Sequence, residues 1–182
     1  MYLTGYAKYL ITNAHLRYHH LQVSSFQAFQ KNIIFHFKRI SLQKNLIHTV
    51  EQEVKFSEVD SLGIVWHGHY VRYFEDGREA FGKKYNLRYL DYYAHGYVVP
   101  VVNIQCDYKQ VLRYGDRIII ETIYVPCEPA KINFQYRLLN LVTGELVVTG
   151  STTQVFLSKD KFTLQLTNPD FFTDWKVAQG LI

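Results

Sequence analysis

The chain lacks any apolar run near the roughly 20 residues that a helix needs to cross a bilayer, and it has only two cysteines among 182 residues. No membrane span is expected. Cys106 and Cys127 form neither a CxxC pair nor a Cys/His metal spacing, which argues against a redox motif or a zinc finger. Each reads as a small apolar side chain in the interior, in a reducing, cytoplasmic compartment. No succession of basic, apolar and small residues marks a secretory signal. Acid is missing altogether from the first 48 residues, which hold Lys8, Arg17, Lys31, Lys38, Arg39 and Lys44. Removing these from the 20 Lys and Arg leaves 14 against 16 Asp and Glu, so residues 49–182 carry a formal −2 although the whole chain carries +4. A nucleic-acid partner inferred from overall charge would rest on the wrong segment, and none is expected.

His15, His19 and His20 have no accompanying carboxylate or thiol, so neither a metal nor any other cofactor is expected. Residues 1–47 are similar in basic, acid-free composition to a transit peptide, but Tyr, His and Gln are too common and Arg too scarce. A further reading is an artefact of gene-start assignment, with translation beginning near Leu46 or Ile47. Met1 is the only methionine, so that start would need a non-ATG codon. The expectation is a dispensable extension over 1–47, a folded domain over 48–160 and a tail over 161–182.

What is present belongs to a globular chain: 48% hydrophobic residues, with 15 Tyr and 12 Phe, exclude disorder. Val50, Gln52, Val54 and Phe56 alternate with charged residues over 47–56, an amphipathic strand. Tyr70, Phe74, Gly77, Phe81 and Tyr85 fall on one stripe of a helix over 68–85. Gly77 at mid-helix costs about 1 kcal/mol against Ala, which implies close approach to a neighbouring element. A Tyr/His-rich connection over 86–96 precedes four strand-like runs at 97–111, 117–125, 132–138 and 145–157. In the first of these Val102, Ile104, Cys106 and Tyr108 share a face. Tyr114-Gly115-Asp116 and Thr143-Gly144-Glu145 read as hairpin turns, with a further connection over 126–129. The order predicts an α+β fold, an antiparallel sheet packed on one long helix. A short helix is expected around Phe171, Phe172 and Trp175.

Residues 56–75 carry the chemistry. They start as a strand, break over 60–63, and become helical from about Gly68, so Asp60 sits in the loop feeding a helix N-terminus. N–H groups there have no intrahelical acceptor and gain partial positive charge from the helix dipole. Such a terminus can hold a developing oxyanion, with Asp60 placed to act on water or on a carbonyl. A lone Asp in a loop is by default a turn residue.

The spacing of Glu58, Asp60, Gly63, Val65, His67, Tyr70, Tyr73, Phe74 and Glu75 resembles a family pattern. That pattern is D-x-D-x-x-G-x-V-x-H-x-x-Y closing on an aromatic pair and Glu. It belongs to the hotdog-fold acyl-CoA thioesterases of the 4-hydroxybenzoyl-CoA thioesterase-like family, including the Tol–Pal-associated branch. The resemblance covers about residues 48–160 and implies the hotdog fold, an antiparallel sheet wrapped around one long helix. It implies hydrolysis of an acyl-CoA with Asp60 as base or nucleophile and a backbone N–H near His67 polarising the thioester carbonyl. His67 itself reads either as an active-site imidazole or as a side chain capping the helix start. Glu75 reads as a structural ion pair or interface contact. Trp66, Gly68 and Tyr70 become candidate substrate contacts, and Lys109, Arg113 and Arg117 candidate partners for the phosphates of coenzyme A. Self-association as a homodimer or homotetramer is implied, with the site shared between subunits. Val59 stands where Thr is frequent, Gly68-His69 where Ala-Asn is common, and Trp66 is large enough to shorten an acyl pocket. Two alternatives stay open: a hotdog hydratase or dehydratase of enoyl or hydroxyacyl thioesters, and a non-catalytic acyl-CoA-binding module. The acyl group, and coenzyme A against acyl carrier protein as carrier, are not fixed by these residues.

Overall fold

A computed structural model describes residues 46–128 and 130–182. The expectations for the basic extension and for His15, His19 and His20 lie outside the described residues. Strand β1, Ile47–Glu53, turns His48, Val50 and Gln52 inward and its other residues to solvent. It ends sooner than the alternation implies. Val54 is fully buried, and its N–H and C=O pair with Asp116 and Gly115 at 2.9 and 3.0 Å. The chain then leaves the ladder as a single 3-10 turn, Phe56–Glu58. Phe56 is therefore exposed, its ring edge-on to Tyr114 at 5.8 Å, and is not a core residue.

Helix α1, His69–Tyr85, buries Tyr70, Phe74, Gly77 and Phe81 as the stripe requires, and also Tyr73. Asn86 ends it in the left-handed region at φ 56, a conformation Asn tolerates. On the outer face Glu79 and Lys83 pair at 2.7 Å. Glu75 is exposed and forms no ion pair with another described residue. The connection after α1 contains a second helix, α2, Tyr89–Ala94, where the sequence reading has only a loop. Its missed start signal is Asp91, whose carboxylate accepts the Arg88 N–H at 2.7 Å and pairs with its guanidinium at 2.9 Å. That satisfies a donor at the helix start.

The strands β2 (Tyr97–Val98), β3 (Val101–Tyr108), β4 (Arg117–Val125), β5 (Lys131–Asn140), β6 (Leu146–Val155) and β7 (Leu157–Ser158) follow. The main sheet is antiparallel in the order β1-β4-β5-β6-β3, and β2 pairs with β7. β4, β5 and β6 form a meander, closed between β5 and β6 by the expected turn at Gly144 (φ 73). The turn at Gly115 (φ 82) does not close a hairpin. Among the described residues β3 pairs only with β6, at the far edge, while β4 lies between β1 and β5, so the 109–116 segment runs from one edge of the sheet to the other. As an edge strand β3 leaves Val102, Ile104 and Tyr108, which share one face, exposed. Cys106 and Cys127 are likewise only half-buried, and burial pushes both thiols up.

The sheet wraps α1. Phe74 stacks on Tyr136 at 4.4 Å, and Phe81 meets Phe134 edge-on at 5.1 Å. A Cβ at Gly77 would run into Thr122 and would lie 2.9 Å from Ile120 Cγ2 on β4. This is the close approach that its mid-helix position implies. Helix α3, Asp170–Ala178, brings Phe172 and Trp175 into the same core. The Trp175 indole N–H donates to the Tyr85 carbonyl at 2.7 Å, satisfying one of the orphan carbonyls at the end of α1. An antiparallel sheet wrapped round one long helix is the hotdog arrangement. No helix among the described residues is long and apolar enough to cross a membrane.

Candidate active site

The segment between the 3-10 turn and α1 is a closed loop. Val59 and Val65 form an antiparallel bridge, the Trp66 N–H bonds to Glu58 O at 2.9 Å, and the Val65 N–H bonds to Leu112 O at 2.8 Å. Within it the Asp60 N–H reaches Ile64 O at 2.9 Å and the Gly63 N–H reaches Asp60 O at 3.0 Å. Gly63 takes φ 71, which an L side chain resists. Asp60 is half-buried. Its Oδ1 accepts the Leu62 N–H at 2.8 Å, and its Oδ2 has no hydrogen-bond partner among the described residues. The carboxylate is thus held in place through one oxygen with the other uncommitted.

Three residues lead from the loop into α1. The N–H groups of His67 and Gly68 donate to no described group. The His67 side chain is exposed and packs on the Trp66 ring at 4.8 Å. Among the described residues no side chain caps the helix, that of His67 included, which removes the capping reading of His67. The half-exposed Trp66 ring lies over Gly68, where any Cβ would collide with it, so glycine is what lets the indole cover the helix start. Tyr70 is buried, its hydroxyl pushed up by burial, and its ring meets Tyr108 edge-on at 5.2 Å. The Tyr108 hydroxyl donates to His67 O at 3.0 Å.

The structure therefore brings Asp60, Trp66, His67, Gly68 and Tyr70 into one loop and helix start. Lys109 and Arg113 are exposed on the crossing segment, which touches the site through buried Leu112. Their charged ends pair with no described residue, and Arg113 bonds to Asp116 only through its backbone, at 2.7 Å. Arg117 is committed elsewhere, to Glu51 at 3.0 Å. An open groove of about 540 Å³ lies beside the 3-10 turn, lined by residues 52–56 and Tyr114. It contains none of the predicted site residues.

Sequence reasoning missed Glu58. It is 4% exposed, and its Oε2 accepts the Tyr73 hydroxyl and the Lys55 N–H, both at 2.8 Å. Burial first, then the bond to Glu58, holds the Tyr73 hydroxyl well above its ordinary range. Glu58 thereby ties the loop that bears Asp60 to α1. Its position as the first acid of the D-x-D pattern was the available signal. Chemically, the arrangement offers one carboxylate and two unpaired N–H groups at a helix N-terminus. A carbonyl placed between them would find a base or nucleophile on one side and charge stabilisation on the other.

Residues 54–175 match the model of the thioesterase-like superfamily. A protein of Bacillus subtilis (strain 168), YneP, provisionally named an acyl-CoA thioesterase, is 32% identical over 129 residues, covering 70% of this chain and 91% of that protein. Among solved structures, a DHNA-CoA thioesterase from Staphylococcus aureus is 26% identical with a TM-score of 0.66, covering 74% of this chain and 92% of its own. A 4-hydroxybenzoyl-CoA thioesterase variant complexed with 4-hydroxybenzoyl-CoA is 20% identical with a TM-score of 0.63, covering 71% and 98%. That likeness supports the fold.

Proposed function

The chain belongs to the thioesterase-like superfamily, and from that premise we propose that it hydrolyses an acyl-CoA thioester to the free acid and coenzyme A in the cytoplasm. The observation that carries this reading is that the loop bridged at Val59 and Val65 bears Asp60, half-buried with Oδ2 uncommitted, and leads directly to the unpaired N–H groups of His67 and Gly68. The thioester carbonyl is poorly resonance-stabilised and thiolate is a good leaving group, so one carboxylate with an oxyanion site suffices. Asp60 acts either on water as a general base or on the carbonyl as a nucleophile. Trp66 and Tyr70 wall the acyl end, Gly68 contributes an N–H, and Lys109 and Arg113 are exposed cations for the phosphates. The named relatives, which act on or are provisionally assigned to acyl-CoA thioesters, support coenzyme A as carrier. A hydratase would pair a histidine with an acid, and the His67 imidazole bonds to none within the described chain. We propose self-association at the β3 edge, where Val102, Ile104 and Tyr108 are exposed beside backbone that pairs with no described strand other than β6.

The test is thiol release from acetyl-, octanoyl-, palmitoyl- and benzoyl-CoA by the parent protein and by Asp60→Asn. The amide keeps the acceptor oxygen that holds the Leu62 N–H but cannot act as base or nucleophile. Turnover by the parent with a loss of about 100-fold or more in the variant is expected, the usual worth of a positioned acid–base group. An inert parent rejects the reading, and equal rates move the catalytic role away from Asp60.

A further inference from the structure

Tyr108, at the end of β3, bonds to the start of α1. Its hydroxyl donates to the His67 carbonyl at 3.0 Å, and that carbonyl and the Gly68 N–H are opposite ends of one peptide unit. No cis peptide bond occurs among the described residues, so the two groups point in opposite directions across the His67–Gly68 bond. A donor fixed on the oxygen orients the plane of the unit and draws electron density from its nitrogen. The N–H at the other end becomes a stronger donor, as in any chain of polarised hydrogen bonds. The Gly68 N–H is one of the two groups, with that of His67, left without a described acceptor at the start of α1.

Resting on the thioesterase reading, we propose that Tyr108 is a positioning residue. Through the His67 carbonyl it orients and polarises the Gly68 N–H, which shares with the His67 N–H the negative charge developing on the thioester oxygen.

Two further observations agree. The Tyr108 ring is anchored edge-on to buried Tyr70 at 5.2 Å, so the hydroxyl is held by packing independent of its own hydrogen bond. Burial and the neighbouring Cys106 push that hydroxyl up to about 12, so it keeps its proton and remains a donor throughout the neutral range. β3 thus reaches the helix start through a side chain, and the edge strand has a role in the site besides its place in the sheet.

The experiment compares the parent with Tyr108→Phe, which preserves the ring and its contact with Tyr70. It uses the best substrate of the four-member acyl-CoA panel. The expected result is a fall in kcat of about 3- to 10-fold, the worth of one neutral hydrogen bond, with KM and the thermal midpoint unchanged. A spectroscopic arm uses the same substrate with an isotope-labelled carbonyl, bound to Asp60→Asn. There the carbonyl stretch lies below its value in water, and adding Tyr108→Phe moves it part of the way back. A kcat equal to the parent's overturns the proposal, as does an unchanged stretching frequency. A loss in KM or thermal midpoint that accounts for the whole effect assigns Tyr108 a merely structural role and overturns it equally. A parent inert on the whole panel is a different outcome, which removes the thioesterase reading itself.

Discussion

Glu58 and Asp60 stand two residues apart with opposite fates. The Glu58 carboxylate is buried against the Tyr73 hydroxyl and the Lys55 N–H, whereas Asp60 keeps one oxygen uncommitted. Tyr73→Phe would leave the buried Glu58 carboxylate with one donor fewer. We expect a stability loss of about 1–3 kcal/mol, seen as a lower urea midpoint at constant slope. A midpoint within error of the parent's would show that water replaces the hydroxyl. The buried tyrosines also set an alkaline limit. Burial pushes the hydroxyls of Tyr73, Tyr92, Tyr124 and Tyr136 upward. The unfolded chain loses these protons near pH ~10 while the folded chain retains them. The folded state then binds more protons, so stability is full below that value and falls as pH rises through it. Urea midpoints at about pH 9 and about pH 11 should differ in that direction, and a flat profile would contradict the burial of these hydroxyls.

At the scale of elements, α1 and the sheet meet where side chains are smallest. Gly77→Ala would gain about 1 kcal/mol of helix propensity, but its Cβ would meet Thr122 and Ile120, two β-branched side chains with little rotamer freedom. Overpacking costs typically about 1–3 kcal/mol, so we expect net destabilisation; a rise in the thermal midpoint would mean that the helix can lift off β4 at little cost. The pattern of α1 is legible from sequence because burial on one side of a helix imposes its own period. β3 shows the converse. Its alternation resembles that of an inner strand, but among the described residues only β6 pairs with it, and nothing in a period-two pattern distinguishes a face covered by this chain from one awaiting another copy.

For the whole molecule, the exposed apolar edge and the basic extension make separate predictions. Ile104→Lys on β3 is expected to shift the assembly towards monomer in light scattering at micromolar concentration, since a charge there opposes edge pairing. An unchanged mass would place self-association elsewhere. A chain beginning at Lys44 is expected to keep the thermal midpoint and thioester turnover of the full protein, because residues 46–182 include the helix, the sheet and a core cluster of 24 buried apolar side chains. Loss of either would give the first 43 residues a role in the folded domain.

The sequence by itself determined the antiparallel sheet around one helix, the turn over 60–63 and the short segment over 60–70 that carries the candidate site residues. These follow from local period, turn chemistry and spacing along a short stretch of chain, which survive without knowledge of long-range contacts. It also showed that Gly77 must lie against something, but not that the partner is Thr122. Only the tertiary structure decided that the 109–116 segment crosses from one edge of the sheet to the other, because adjacency in sequence and adjacency in a sheet are independent once the connection is longer than a tight turn. The same long-range pairing carried Tyr108 to the His67 carbonyl across 41 positions and fastened Glu58 to Tyr73. No periodicity reports such contacts, since each joins two patterns that are complete without the other.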